Sequence, residues 1–177
     1  MALNAYLRLT GDVQGEIKGS VTQAGREDSI MVMACTHEID SPRDAASGLP
    51  TGKRQHKPLV IIKEIDKSTP LLMNALTNNE NISNLTLQFW QPSRSGKEFQ
   101  YFTIELVNAN ISSIRQEMLD NRYPENMRLA VTEHVSFVYQ KIIKTWTDGG
   151  ISAEDDWGSN SVLAAVRTNP VRRRVKK

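Results

Sequence analysis

Cysteine is nearly absent from this 177-residue sequence. Cys35 stands alone, which excludes an internal disulfide and any cysteine-rich metal centre. Long hydrophobic runs are missing too. No apolar stretch approaches the ~20 residues that an α-helix needs to cross a bilayer, so membrane insertion is not expected. The first residues, MALNAYLRLTGD, have no basic start, apolar centre and small-residue cleavage site. The chain is therefore expected to be made in the cytoplasm and not to leave by the usual signal route. Sequence patterns for nucleophile elbows (G-x-S-x-G) and phosphate-binding loops (G-x-x-x-x-G-K-[ST]) are also lacking, and Gly52-Lys53 has neither the upstream glycine nor the following Ser/Thr. No cofactor is expected.

Acidic charge is missing from one place only. Residues 161–177 carry Arg167, Arg172, Arg173, Arg174, Lys176 and Lys177 and no acid. Setting them aside turns a chain of 22 basic and 20 acidic residues into a body of 16 against 20. The basic character belongs to this tail, which reads as a disordered or appended extension after a domain spanning 1–160.

The rest alternates with the period of strands. Leu3, Ala5, Leu7 and Leu9 share one face, Glu16–Thr22 reads as a short strand, and Ser29–Ile39 as a longer one. Leu59–Ile65 follows, rich in β-branched residues. One helix interrupts, at about 69–78: Ser68 or Thr69 can cap it, Pro70 suits its first position, Leu71, Leu72, Ala75 and Leu76 share a face, and Asn78-Asn79 offers a stop. Leu85–Trp90 and Tyr101–Leu106 form a hairpin about Ser93–Gly96, Asn108–Asn110 breaks the run before Ile111–Met118, and Glu133–Trp146 is the last strand. Ile151–Asn160 reads as an acidic segment. The fold class is mainly β: one domain, a β-barrel of two antiparallel sheets with one short helix.

Between two of these strands lies Ser41–Lys57, seventeen residues with no strand or helix period. Loops of this length inside a compact domain are uncommon and are usually functional or disordered. Folded back as an arm it reaches ~25 Å, beyond the ~15 Å radius of gyration of such a domain. It can therefore touch a neighbour. Its cluster Lys53-Arg54-Gln55-His56-Lys57 suits an acidic surface, and Glu154, Asp155 and Asp156 would supply one on another copy of the chain. Nucleic acid is an alternative partner, through this loop and the tail, but the body is net acidic and no aromatic residue interleaves with the cluster to stack on bases. A metal-dependent hydrolase using His37, Asp40 and His56 is the other alternative, without any recognised ligand spacing. Cys35, within a strand pattern, reads as a small buried residue.

Three separated stretches together resemble the haemolysin-coregulated protein (Hcp) family of bacterial type VI secretion systems: His37, Ser41-Pro42, Thr51–Leu59 and Lys63–Leu72; Glu133–Phe137 with Tyr139–Ile142; and Trp146–Ile151 with Asp155–Trp157. The resemblance covers about residues 1–157 and not the tail. It implies a β-barrel subunit of hexameric rings that stack into a tube, propelled out of the cell by a contractile sheath with a spike protein at its tip. It further implies that small effector proteins ride in the ring lumen and that the long loop contacts neighbouring subunits. Such a protein is cytoplasmic before assembly and then secreted, is not an enzyme, and binds neither nucleic acid nor membrane. Under this resemblance Arg54, Gln55, Lys57, Asp66 and Lys67 stand near ring or stacking contacts, and Thr36 is a candidate for the lumen face.

Overall fold

The computed structural model describes residues 5–157. In chain order the elements are β1 (Ala5–Gly11), β2 (Gly15–Ile17), β3 (Ile30–Val32), β4 (Ala34–Thr36), β5 (Ile39–Asp40), β6 (Gln55–His56), β7 (Leu59–Glu64), α1 (Thr69–Thr77), β8 (Ile82–Pro92), β9 (Glu98–Glu117), β10 (Thr132–Trp146) and β11 (Ile151–Asp156). Nine strands form one antiparallel sheet in the order β2-β1-β8-β9-β10-β7-β4, with β3 on β1 and β11 on β10; β5 and β6 form a separate two-stranded sheet. The mainly β architecture, with one helix among the described residues, agrees with the sequence pattern. The boundary at 160/161 and the basic tail lie outside the described residues.

The circuit closes at one break in a strand. Ser29–Ile39 is not continuous, as its composition suggested, but splits into β3, β4 and β5. β3 pairs with β1 and β4 with β7, with only Met33 between them, and the Met33 N–H donates to the Ile62 carbonyl. The chain changes partner there because a closing sheet must turn a corner, and Met33 is exposed at that corner. The inward residues form the core: Leu7, Leu9, Ile30, Leu59, Ile61, Leu85, Leu87, Leu106, Val135 and Phe137 are all buried.

Two further expectations change. Asn108–Asn110 does not break a strand; β9 runs through for 20 residues. Asn108 takes a left-handed φ of 51°, which asparagine tolerates, and its side chain donates to Gln140 Oε1 at 2.9 Å. A bulge follows at Ser112, where Ser113 opposes Ser136 but Ile111 opposes Phe137. The acidic segment after Gly149-Gly150 is also a strand, β11, paired with the far half of β10. Its charged side chains hid the pattern because it lies on a sheet edge.

Residues 41–57 are not irregular either. β5 and β6 pair at the root, Ile39 with His56 and Asp40 with Gln55. The ladder continues through Thr51 N–H to Pro42 O at 3.0 Å, a bridge between Arg43 and Pro50, and Asp44 N–H to Leu49 O at 2.9 Å. Asp44 Oδ1 accepts from Ala46 N–H at 2.6 Å and Gly48 has φ 69°, so the tip is a turn made by Asp and Gly chemistry. The segment is a hairpin arm.

The helix follows its expected bounds, with Pro70 in the first turn and Asn79 at φ 49° just past its end. Leu72 and Ala75 are buried against the barrel, whereas Leu71 is partly exposed. Ser68 does not cap by its side chain. Instead Asp66 Oδ1 accepts from the Ser68 N–H at 2.9 Å and from its hydroxyl at 2.5 Å.

What anchors this turn is a buried ion pair. Period two on β7 brings Lys63 inward after Leu59 and Ile61, and on β10 it brings Glu133 inward before Val135 and Phe137. The two are register partners, with Nζ 2.6 Å from Glu133 Oε1 and neither side chain meaningfully exposed. Lys63 also reaches Asp66 Oδ1 at 2.9 Å and Glu64 O at 2.8 Å, while Thr69 Oγ1 donates to Glu133 at 2.8 Å. Burial would push the Asp66 carboxyl up, but the bonds from Ser68 and Lys63 prevail and hold it below its ordinary value. Lys63→Met alone strands a buried carboxylate and is expected to lower stability by about 3–5 kcal/mol. The double change with Glu133→Leu should recover most of that loss, as measured by denaturant unfolding; equal losses in both would refute the account.

Candidate assembly arm and its root

Three elements converge where the arm leaves the barrel. His37 lies on its outgoing limb just before β5, His56 on the returning limb in β6, and Tyr139 points in from β10. The Tyr139 hydroxyl lies 2.6 Å from His37 Nε2 and 2.8 Å from His56 Nδ1. The other nitrogen of His56 donates to Asp155 Oδ2 of β11 at 2.7 Å. Arg54 grips the same carboxylate through Nε and Nη2 and donates to the Asp156 carbonyl at 3.0 Å. The ring of Trp157 stacks obliquely on His56, centroids 5.4 Å apart. A shallow cavity of about 230 Å³, lined by His56, Lys57, Pro58, Val138, Tyr139 and Trp157, opens beside this group.

Electrostatics follow from the burial. Burial, Lys144 and His56 together lower the pKa of His37 from 6.5 to about 4. Burial and the Asp155 charge push the Tyr139 phenol well above its ordinary range, so it stays protonated. Burial opposes ionisation of Asp155, yet the bonds from Arg54 and His56 win and its pKa falls below the ordinary value. Cys35 is half-buried, and desolvation raises its pKa, which disfavours a nucleophilic thiolate.

The structure distributes the sequence candidates as follows. Arg54 meets Asp155 and Asp156 within one subunit, whereas the sequence reading paired the basic cluster with those acids on another copy. Lys57 is 3.1 Å from Glu38 and 2.9 Å from Asp40, binding the two limbs together. Gln55 is exposed opposite Asp40, and Thr36 is exposed on β4. Glu154 pairs with Lys141 at 2.9 Å and Lys67 with Asp28 at 3.1 Å, while Asp66 belongs to the Lys63 cluster. His37 and His56 come together, but Asp40 faces Lys57, so the three do not converge as a ligand set. Among the described residues no group of three or more His, Cys, Asp or Glu is arranged to hold a metal ion. Sequence reasoning missed Tyr139 and Trp157 at this site. The inward register of β10, which continues from Val135 and Phe137 to Tyr139, was the available signal for the first.

These features define an arm-bearing antiparallel β-barrel with a capping helix. The family model for "Type VI secretion system effector, Hcp" matches residues 6–146. The major exported protein of Pseudomonas aeruginosa is 40% identical over 168 residues, covering 90% of this chain and 98% of its own. A crystal structure of an Hcp protein superposes with a TM-score of 0.80 at 31% identity, covering 88% of this chain and 100% of the other. For the secreted protein Hcp3 of Pseudomonas aeruginosa the TM-score is 0.72 at 34% identity, with 89% and 100% covered. The chain belongs to the Hcp family of type VI secretion.

Tyr139→Phe removes the hydroxyl that two imidazole nitrogens share. It is expected to destabilise the subunit by about 1–3 kcal/mol, the range for a half-satisfied buried polar group. Chemical denaturation checks this, and a change below about 0.5 kcal/mol would mean that water replaces the hydroxyl freely.

Proposed function

We propose that this protein is the tube subunit of a type VI secretion apparatus: six copies close into a ring, rings stack, and small effector proteins travel in the lumen. The observation that carries this reading is the arm. Every residue from 43 to 53 is exposed in the isolated subunit although the segment is hydrogen-bonded along its length. An ordered hairpin with nothing beneath it has a shape set for contact with something else. Its tip presents Leu49, 65% exposed, with the Arg43 guanidinium on the neighbouring Gly48 carbonyl at 3.1 Å. An apolar anchor beside a cation suits an acidic-rimmed pocket on a second copy.

In this reading Arg54, Gln55 and Lys57 set the direction of the arm rather than its contacts. Asp66 and Lys67, with Glu154, Asp155 and Asp156, flank the ring or stacking surfaces, and Thr36 faces the lumen. Ring closure needs a heterologous interface whose rotation closes, and stacking needs a second pair of complementary faces. Sheath and spike proteins are the further partners. Function is assembly and not catalysis, and export proceeds through the apparatus, in keeping with the exported relative.

Replacing Ser47–Lys53 by a short Gly-Ser linker is expected to leave the thermal midpoint of the subunit nearly unchanged, since the tip is a surface loop outside the core. The same variant should form rings poorly or fail to stack them. Negative-stain images and light scattering decide this. Tubes formed as readily as by the parent would remove the arm from assembly, and a strictly monomeric parent at high concentration would overturn the reading as a whole.

A further inference from the structure

Hydrogen-bond accounting at the arm root permits few proton arrangements. Asp155 is ionised and accepts only, so His56 Nε2 carries a hydrogen. Tyr139 has a single hydroxyl hydrogen, yet its oxygen is in bonding distance of two imidazole nitrogens. One of those nitrogens must therefore be bare and the other protonated. With His56 neutral, Tyr139 donates to His56 Nδ1 and His37 Nε2–H donates to Tyr139. In that arrangement every nitrogen that carries a hydrogen has an acceptor, and His37 Nδ1 is bare. A proton added to His37 must sit on Nδ1, which is buried without a partner.

We propose that the His37–Tyr139–His56 group is an acid-sensitive latch: it holds both limbs of the arm on the barrel at neutral pH and releases them when His37 takes up a proton. Tyr139 joins the outgoing limb, the returning limb and β10 through one hydroxyl. The β5–β6 ladder beneath it has two register pairs, continued by main-chain bonds at the root and toward the tip. An isolated two-stranded hairpin is at best marginally stable in water, so loss of the latch loosens the root and not merely one side chain. Lys144 of β10 and His56 of β6 both disfavour a cation on His37; the anion of the network, Asp155 of β11, is engaged by Arg54 and His56, and Lys57 is taken by Glu38 and Asp40. The cavity beside His56 and Tyr139 gives solvent a route to the network.

The direction with pH follows from linkage. His37 ordinarily titrates at 6.5 but only at about 4 when the latch is closed, so the open form binds the proton more readily between those values. Closure is therefore undiminished above pH 6.5 and weakens on descent to pH 4, by up to about a hundredfold in the opening constant. Asp155, with a depressed pKa, remains ionised across this window.

Hydrogen exchange of the full chain, read by mass spectrometry and corrected for the intrinsic effect of pH, tests the latch. Peptides covering residues 36–57 are expected to lose protection by about one to two orders of magnitude between pH 6.5 and 4, while peptides of β7 keep theirs. His37→Gln keeps a side-chain N–H for Tyr139 but cannot titrate; it should hold the root protected down to pH 4. Unchanged protection in the parent, an equal loss in His37→Gln, or loss in β7 at the same pH would each overturn the proposal. The consequence for assembly rests on the proposed tube function and is read separately by light scattering. Acid-released arms with intact rings would support the latch and count against the arm as the assembly element, whereas acid loss of rings spared in His37→Gln supports both.

Discussion

The buried pair of Lys63 and Glu133 ties together three pieces of the chain that share no sequence neighbourhood. β7 supplies the cation, β10 the anion, and the turn into α1 fits between them through Asp66 and Thr69. Burial of either charge alone is heavily unfavourable, so β7 can pair with β10 only in the register that brings the two together. A slip of one residue would leave both charges on the wrong face and turn Ile61 and Val135 outward. The pair thus fixes the register of the strand that closes the barrel and the entry point of the helix. Because the arm root lies just ahead of β7, it fixes that too.

From that frame the arm inherits its direction. His56 stands three residues before Leu59, and Tyr139 is two residues beyond Phe137, the register partner of Leu59. The contacts that hold the arm are therefore one step along from the contacts that hold the core. Arg54 and Asp155 add a salt link to the last described strand. This division leaves the root pinned by contacts within the subunit and the tip exposed. A flexible arm would lose conformational entropy on reaching a partner; a pinned hairpin has surrendered most of it on folding. In the proposed tube, the internal Arg54–Asp155 link would thus favour contact with a neighbour even though neither residue need touch one.

Much of this architecture is legible in the sequence because its causes are local. The alternation in β1 and in β7, the proline at the start of α1 and the Asn pair at its end each act over a few residues. The motifs at 51–72, 133–142 and 146–157 carried the family in the same way. Three features were not legible. The corner at Met33 depends on which strand each side of it pairs with, and composition does not encode that choice. The continuity of β9 through Asn108 depends on a left-handed residue satisfied by Gln140 across the sheet. The hairpin within 41–57 is built from main-chain bonds and a turn of Asp and Gly chemistry, which leave no hydrophobic period to read. For the site, the basic and acidic clusters were visible but their pairing within one subunit was not, since a sequence does not distinguish contacts within a chain from contacts between copies.

That ambiguity has a physical consequence. The charges at the arm root neutralise one another inside the subunit: Arg54 with Asp155, and Lys57 with Glu38 and Asp40. In the proposed tube, what the arm would offer a neighbour is then its tip, the exposed Leu49 with Arg43 beside it. The half-exposed pairs of Lys57 with Glu38 and Asp40 are screened by salt, as any charge contact at the tip would be. The bidentate Arg54–Asp155 pair is instead backed by the hydrogen bonds of His56 and the Asp156 carbonyl. In the proposed tube, salt would therefore act chiefly on contacts between copies, and under the proposed latch protons would act on the root through His37. The direction of the arm and the strength of its grip would then respond to different variables.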